Sequence, residues 1–557
     1  MTSRRPHLWE KSYPPGVRWD APIETAAIPD LLARGIARGP EHPALEFRDR
    51  RISYGELGER VDRAAAALAR LGVGPGVSVA LYLPNTPWHP ISFFGALKAG
   101  GRVVSLSPLD AERELAHKLR DSGARILVTT NLAAMSAMAG KLARSGLVDR
   151  VLVGDDAAWG PAGVPLAPIA ETAQALSLAR LLDDAAPVAL PRPELDDVAL
   201  LQYTGGTTGT PKGAMLTHAN LTAAVSIYDI WADGQGLSRP GEERVICVLP
   251  LFHIYALTTI LLRQLKHGNE LFLRLRFDVE TAFRDIEEKR ATAFPGVPTM
   301  WIALANDPGI ERRDLSSLRH CGSGGAPLPV DVAQRFERLT GLRLGGGWGM
   351  TETAPAGTAL PEKGPAKPGS VGLPLPGIEI DVVALDDARR RLGPKHTGEI
   401  RIKGPNVMKG YWNRPDETAA AFVDGFFLTG DIGYMDEDGY VFLVDRKKDM
   451  IISGGFNVYP TAIEHAIYEH PDVEEVVVVG VPDPYRGEAA KAFVKLRPGA
   501  PPLTLDELRA FLADKLGRHE LPAALEIRDA LPRTAVGKLS RKELAEEERR
   551  RASAVPS

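Results

Sequence analysis

The chain has 557 residues, 44% hydrophobic and 25% charged, with 71 acidic against 67 basic side chains and a net charge of −4. That length exceeds one ordinary hydrophobic core and predicts roughly three or four structural units, while the near-neutral balance gives no electrostatic basis for a nucleic-acid partner. The only cysteines, Cys247 and Cys321, exclude a disulfide framework and a cysteine metal cluster, which fits a reducing cytoplasm.

The N-terminal stretch MTSRRPHLWEKSYPPGVRW is basic but broken by Pro6, Pro14 and Pro15, and it lacks the apolar run of a signal peptide. VSVALYLP (77–84) predicts a buried strand, and HPISFFGALKAG (89–100) a helix stopped at Gly100 and Gly101. RVVSLSP then reads as strand, ERELAHKLRDSG as helix and ARILVTT as strand. This β-α-β alternation predicts a largely parallel sheet covered by helices. A proline-rich connector, PVALPRPELDD, covers 187–197, and a further β/α region spans about 215–345.

After residue 368 the texture changes to short strands and turns, IEIDVVAL, GEIRIKGP and GYVFLVD, predicting a smaller β-rich subdomain. From Met450 a compact α/β unit is expected: TAIEHAIYEHP as helix, VEEVVVVGVPD and AAKAFVKL as strands, TLDELRAFLADKL as helix. Thr504 and Glu507 have capping-box spacing at the start of that last helix. The tail EEERRRASAVPS is expected to fray. No apolar run approaches the ~20 residues of a membrane span.

One stretch concentrates chemistry. YTGGTTGTPKGAM, Tyr203 to Met215, holds four glycines, four threonines and one lysine. Glycine lets backbone approach an anion closely, and threonine hydroxyls and a lysine add donors. This suits a polyphosphate better than a plain surface turn. It is not a Walker loop, because Lys212 follows Pro211 rather than glycine.

YTGGTTGTPKG resembles the phosphate-loop signature of the adenylate-forming superfamily: acyl-CoA synthetases, luciferases and peptide-synthetase adenylation domains. The resemblance continues in register through LPLFHIYAL (249–257), HCGSGGAPL (320–328), GGGWGMTET (345–353), DGFFLTGDIG (424–433), VDRKKDMIISGGFNVYP (444–460) and PRTAVGKLSRKEL (532–544). It implies an α/β fold with a large N-terminal domain of layered β/α subdomains plus a β-rich subdomain, residues 1–445. A hinge at 446–449 and a small mobile C-terminal domain, 450–557, complete it. It also implies two half-reactions. A carboxylate attacks the α-phosphate of ATP, giving acyl-adenylate and pyrophosphate; a thiol, usually of coenzyme A, then displaces AMP.

The roles implied by resemblance fall on the motif residues. Thr204, Gly205, Gly206, Thr207, Thr208, Gly209 and Lys212 hold the β- and γ-phosphates. Thr351 and Glu352 act at the α-phosphate, the carboxylate as a Mg²⁺ ligand, with Gly347, Gly349 and Met350 beside them in the ATP site. Gly324, Gly325, Ala326 and Pro327 form one wall of the adenine slot. Trp348, where most relatives have tyrosine, stacks on the base. Asp431 and Arg446 take the ribose, and Lys538 bridges carboxylate and phosphate during adenylation. Lys448 matches the hinge position, and Ser453, Gly454 and Gly455 line the pantetheine tunnel.

For the acid, His253 sits where relatives place a residue near the acyl carboxylate. Gly349 replaces the tryptophan that closes the pocket of acetate-specific relatives, and Gly322 and Gly347 add no bulk. FHIYAL lacks the aspartate that amino-acid-activating relatives use. DGFFLTGDIGYMDEDGYVFLVDRK resembles the fatty acyl-CoA synthetase signature. A medium- or long-chain fatty acid is the expected substrate. An aromatic acid such as a cinnamate, or a fatty acyl-AMP ligase loading a carrier protein, are the alternatives. Peripheral membrane contact and the oligomeric state, monomer or homodimer, stay open.

Overall fold

The computed structural model describes residues 5–204, 211–325, 330–364, 367–454, 456–533 and 539–554. Packing divides the chain into two compact units. Met1–Glu379, Ile402–Phe422 and Asp438–Tyr440 form the first, and Ile380–Arg401, Val423–Glu437 and Val441–Ser557 the second. The β-rich segment is therefore divided: Leu373–Pro374 and Gly410–Tyr411 belong to sheets of the first unit, and Ile380–Arg401, Val423–Glu437 and the chain from Val441 pack within the second. Packing and motion divide a chain on separate grounds, and this boundary concerns packing alone.

The first unit is built on two large sheets. One has eight strands in the order Gly410–Tyr411, Lys212–Thr217, Val198–Thr204, Arg102–Leu106, Ser78–Tyr82, Ile126–Thr130, Arg150–Gly154 and Ala175–Ser177. The six from Val198–Thr204 to Ala175–Ser177 pair in parallel, and the two ahead of them pair antiparallel. The interior strand Ser78–Tyr82 is buried along its whole length, and after Ser78 it is wholly apolar. Helices Trp88–Lys98 and Glu112–Ser122 fall where the alternation placed them.

The other sheet has nine strands, with Ala293–Gly296, His320–Ser323 and Leu344–Trp348 parallel neighbours near its centre. Cys247 and Cys321 are buried apart in this sheet's strands, and burial pushes both thiols up to about 12. They stay protonated near neutrality, so neither is an activated nucleophile.

The second unit carries the short strands expected after residue 368. Phe426–Met435 and Val441–Arg446 pair antiparallel there. Its C-terminal sheet pairs Val473–Asp483 with Gly487–Leu496 and packs helices Pro460–Tyr468 and Leu505–Leu512. The capping box forms: Thr504 Oγ1 accepts from the Glu507 N–H at 3.3 Å, and the Thr504 N–H donates to Glu507 Oε2 at 2.8 Å.

The tail departs from its expected fraying. Arg541–Ala554 is helical. Leu544 is fully buried, Glu547 pairs with Arg528, Glu548 with Lys491 and Arg551 with Glu526. These anchors lie on strands and loops far back in the sequence, so the tail read alone gave no sign of them. No helix among the described residues is long and apolar enough to cross a membrane.

Candidate active site

In the first unit, strands Val198–Thr204 and Lys212–Thr217 form an antiparallel pair that ends with Thr204 opposite Lys212. These two strands form the arms of a hairpin at the edge of the parallel strands. Gly205, Gly206, Thr207, Thr208 and Gly209 lie outside the described residues. The hairpin's root is fixed from below. The Tyr203 hydroxyl donates to Asp121 Oδ2 at 2.7 Å, and burial together with that carboxylate holds the phenol well above its usual range.

Lys212 is placed by the strand Gly410–Tyr411, which pairs Tyr411 with Ala214. Its ammonium lies 5.2 Å from the centre of the Tyr411 ring and forms an ion pair with Glu417. Glu417 belongs to helix Pro415–Ala421. Arg414 approaches both Glu417, at 3.5 Å, and Asp121, at 3.3 Å.

The same tyrosine reaches the GMTE segment. The Tyr411 hydroxyl donates to Glu352 Oε1 at 2.9 Å, and the Met408 N–H donates to the Glu352 carbonyl at 2.7 Å. Thr351 and Glu352 lie in a 3₁₀ turn, with the Met350 N–H donating to Thr353 Oγ1 at 3.0 Å. Asn406 Nδ2 donates to the carbonyls of Thr353 and Ala356, at 2.6 and 2.8 Å. Segment 406–411 therefore fixes the turn and brings Glu352 and Lys212 against one aromatic ring. Among the described residues no three His, Cys, Asp or Glu side chains cluster as a metal cage. One hard carboxylate, that of Glu352, is a donor type that fits Mg²⁺, which keeps waters and is held mainly through substrate phosphates.

The glycines divide by what lies around them. Gly322 has room: among the described residues an added Cβ would meet only the Tyr255 hydroxyl, at 3.7 Å. At Gly324 it would press on the Tyr255 ring at 2.7 Å, and Gly325 has φ +80, a left-handed backbone suited to glycine. Ala326 and Pro327 lie outside the described residues.

Gly347 and Gly349 are exposed on one face, but on the Cβ side they abut the carbonyl oxygens of Thr358 and Pro355. Glycine at 349 thus answers a close backbone approach rather than leaving a side-chain-sized opening on that side. Trp348 between them is buried, 8% exposed, with its ring against Gly357. His253 is half-buried and caps a short helix, its Nδ1 accepting from the Tyr255 N–H at 3.3 Å. Burial pushes the Tyr255 phenol up to about 12.

In the second unit, Asp431 and Arg446 face each other across the strand pair. Asp431 is buried, and Arg446, 44% exposed, donates from Nε to Asp431 Oδ1 at 2.7 Å. Lys448 is exposed and Ser453 buried, with the Gly454 N–H donating to the Arg486 carbonyl at 2.8 Å. Gly455 and Lys538 lie outside the described residues.

Sequence reading missed Tyr411, Glu417 and Tyr255. Tyr411 and Glu417 lie in YWNRPDETAAAF, which reads as a turn and a short polar helix. Only the pairing of Tyr411 beside Ala214 reveals what they reach.

Residues 32–412 match the AMP-binding enzyme family, and residues 462–538 match the AMP-binding enzyme C-terminal domain. A long-chain-fatty-acid–CoA ligase of Bacillus subtilis is 39% identical, over 98% of this chain and 99% of that one. A feruloyl-CoA synthase of Amycolatopsis sp is also 39% identical, over 92% of this chain and 97% of its own. ATP-bound MatB from Rhodopseudomonas palustris shares the fold at a TM-score of 0.83 and 31% identity, over 93% of this chain and 98% of that one. The hairpin, the Glu352 turn and their shared tyrosine all lie within the larger matched segment, and the chain belongs to the AMP-binding enzyme family.

Proposed function

We propose that this protein is an ATP-dependent acid–thiol ligase that activates a medium- or long-chain fatty acid and transfers it to coenzyme A. The observation that carries the ligase reading is the convergence of Lys212, Tyr411 and Glu352 beside the Thr204–Lys212 hairpin. A cation and a hard carboxylate meet where an anionic acid must attack a polyanion.

In the first step a carboxylate oxygen of the acid attacks the α-phosphorus, and the bond to the bridging oxygen breaks with release of pyrophosphate. Thr204 and Lys212 hold the β- and γ-phosphates, Thr351 donates to the α-phosphate, and Asp431 and Arg446 orient the ribose. Such positioning and charge stabilisation supply most of phosphoryl-group catalysis. Mg²⁺ at Glu352 would neutralise charge on the phosphates. Lys538 bridges the two reacting anions. Lys538→Ala is expected to lower adenylation about 10²–10³-fold, while preformed acyl-adenylate still reacts with CoA.

In the second step the thiolate attacks the acyl carbon and AMP leaves. The division at 1–445, 446–449 and 450–557 belongs to this reading. A pivot at Lys448 brings Ser453, Gly454 and Gly455 to the pantetheine arm. Two free cysteines are in keeping with a cytoplasmic setting.

The fatty acyl class draws on near-full-length similarity to the Bacillus subtilis enzyme. The feruloyl-CoA synthase, equal in identity, supports an aromatic acid as the second reading. Pyrophosphate release separates them, measured with ATP and Mg²⁺ across acetate, octanoate, palmitate, cinnamate and mixed amino acids, with and without CoA. Octanoate or palmitate turnover with CoA-dependent AMP release is expected. Turnover with cinnamate alone would replace the fatty-acid reading, and adenylation that CoA cannot discharge would point to a carrier protein.

A further inference from the structure

Contacts within the second unit join the two sides of residues 446–449. Asp445, near the end of strand Val441–Arg446, has a side chain only 1% exposed. Its Oδ1 accepts from Arg541 Nη1 at 2.8 Å and from the Arg446 N–H at 2.7 Å. Its Oδ2 accepts from the Thr461 N–H at 2.7 Å. Arg541 also donates to Thr461 Oγ1 at 2.6 Å and to both oxygens of Glu464, and it lies 3.8 Å from Asp449.

These partners divide at the pivot. Asp445 precedes it. Thr461 and Glu464 stand on helix Pro460–Tyr468, and Arg541 begins helix Arg541–Ala554. A rotation about 446–449 must part Asp445 from Thr461 and Arg541, whereas Arg541, Thr461 and Glu464 travel together. A buried carboxylate that loses its cation is costly, so these contacts bias the pivot toward the arrangement that makes them.

The bias has a direction. Arg541 stands three positions after Lys538. The residues flanking 534–538 are joined: Arg533 and Leu539 are bridge-paired, and the Ser540 N–H donates to Pro532 O at 2.8 Å. On the other side, Asp445 adjoins Arg446, the partner of Asp431. The contacts bring the root of the lysine segment to the strands assigned to the ribose.

We propose that Asp445 and Arg541, with the Thr461 N–H, form a latch that holds the adenylation arrangement and opens for thioester formation. Both are positioning residues that act through Lys538. The proposal rests on the acid–thiol ligase reading and deepens it.

The test measures the two half-reactions separately on the full chain: palmitate-dependent ATP–pyrophosphate exchange, and CoA-dependent consumption of supplied palmitoyl-adenylate. Asp445→Asn is expected to lower exchange about 10–100-fold, with thioester formation unchanged or faster. Arg541→Lys, which keeps the charge, retains part of the exchange. Glu464→Gln removes a partner on Arg541's own side of the pivot, and should lower the melting temperature while leaving the ratio of the two rates unchanged. Unchanged exchange in Asp445→Asn, or equal loss of both half-reactions at an unchanged melting temperature, would overturn the latch. If Asp445→Asn does not fold, an unaltered rate ratio in Arg541→Lys overturns it. A wild-type protein with no acid-dependent exchange from any acid would remove the ligase reading itself, and the latch with it.

Discussion

The Tyr411 hydroxyl donates to Glu352 Oε1 at 2.9 Å from a position 59 residues further along the chain. A carboxylate oriented by a second group is a better metal ligand than one that must be ordered on binding, and loss of such a partner typically costs about 10–100-fold in metal affinity. Tyr411→Phe keeps the ring beneath Lys212 and removes only the hydroxyl. It is expected to raise the Mg²⁺ concentration for half-maximal pyrophosphate release about ten-fold, with folding unaffected. An unchanged Mg²⁺ requirement would show that contacts other than the Tyr411 hydroxyl hold Glu352 in place.

Lys212 pairs with Glu417; on the proposed ligase reading, phosphate oxygens compete for the same ammonium. The pair is part-exposed, 29% and 39%, so its worth is at most about 1 kcal/mol. Glu417→Gln removes the competing charge. The KM for ATP should then fall by up to about five-fold, since 1.4 kcal/mol is a factor of ten. Titration of initial rates against ATP checks this. A raised KM would mean that Glu417 steers the lysine into its working position.

Much of the frame was legible because its signals are local. Val77 to Pro84 is apolar apart from Ser78, and the strand Ser78–Tyr82 within it is buried throughout. Thr504 and Glu507 carry their cap in two side chains three residues apart. Thr204, Lys212, Asp431 and Arg446 were singled out through motif resemblance, with residue chemistry in support, but that Asp431 and Arg446 meet each other was not. Tyr411 and the Asp445–Arg541 pair were not legible, because each depends on strand or helix neighbours distant in sequence. The C-terminal helix was misread for the same reason. EEERRR looks solvated until Glu547 meets Arg528 and Leu544 finds its core.

Gly349 and Gly322 should respond oppositely to a methyl group. At Gly349 a Cβ overlaps the Pro355 carbonyl oxygen, a backbone atom that cannot swing away. Gly349→Ala is expected to cost ~3 kcal/mol or more in unfolding free energy. At Gly322 the nearest atom to an added Cβ is the Tyr255 hydroxyl at 3.7 Å, an ordinary contact. Gly322→Ala should therefore fold like wild type, within about 1 kcal/mol, and shift acid preference toward shorter chains. Denaturant titration and a chain-length series separate the two effects. A folded, fully active Gly349→Ala would contradict the geometry.

Buried histidines set an acid limit on the first unit. His218, 2% exposed, accepts the Ile28 N–H on Nδ1 at 3.1 Å, so its neutral form is the one the fold uses. Burial lowers it to about 4, and His89, also buried, is lowered to about 3. Both lie below the ordinary histidine value of about 6.5. Between about 6.5 and 4 the unfolded chain therefore binds protons that the folded chain does not. The stability from these groups is complete above about 6.5 and is lost as pH falls. Each histidine contributes a slope of up to about 1.4 kcal/mol per pH unit. Urea midpoints measured from pH 7.5 down to pH 5 should fall accordingly. His218→Gln cannot take up the proton and should flatten the slope, whatever its own stability at pH 7.5. A parallel slope in the variant would place the acid sensitivity elsewhere.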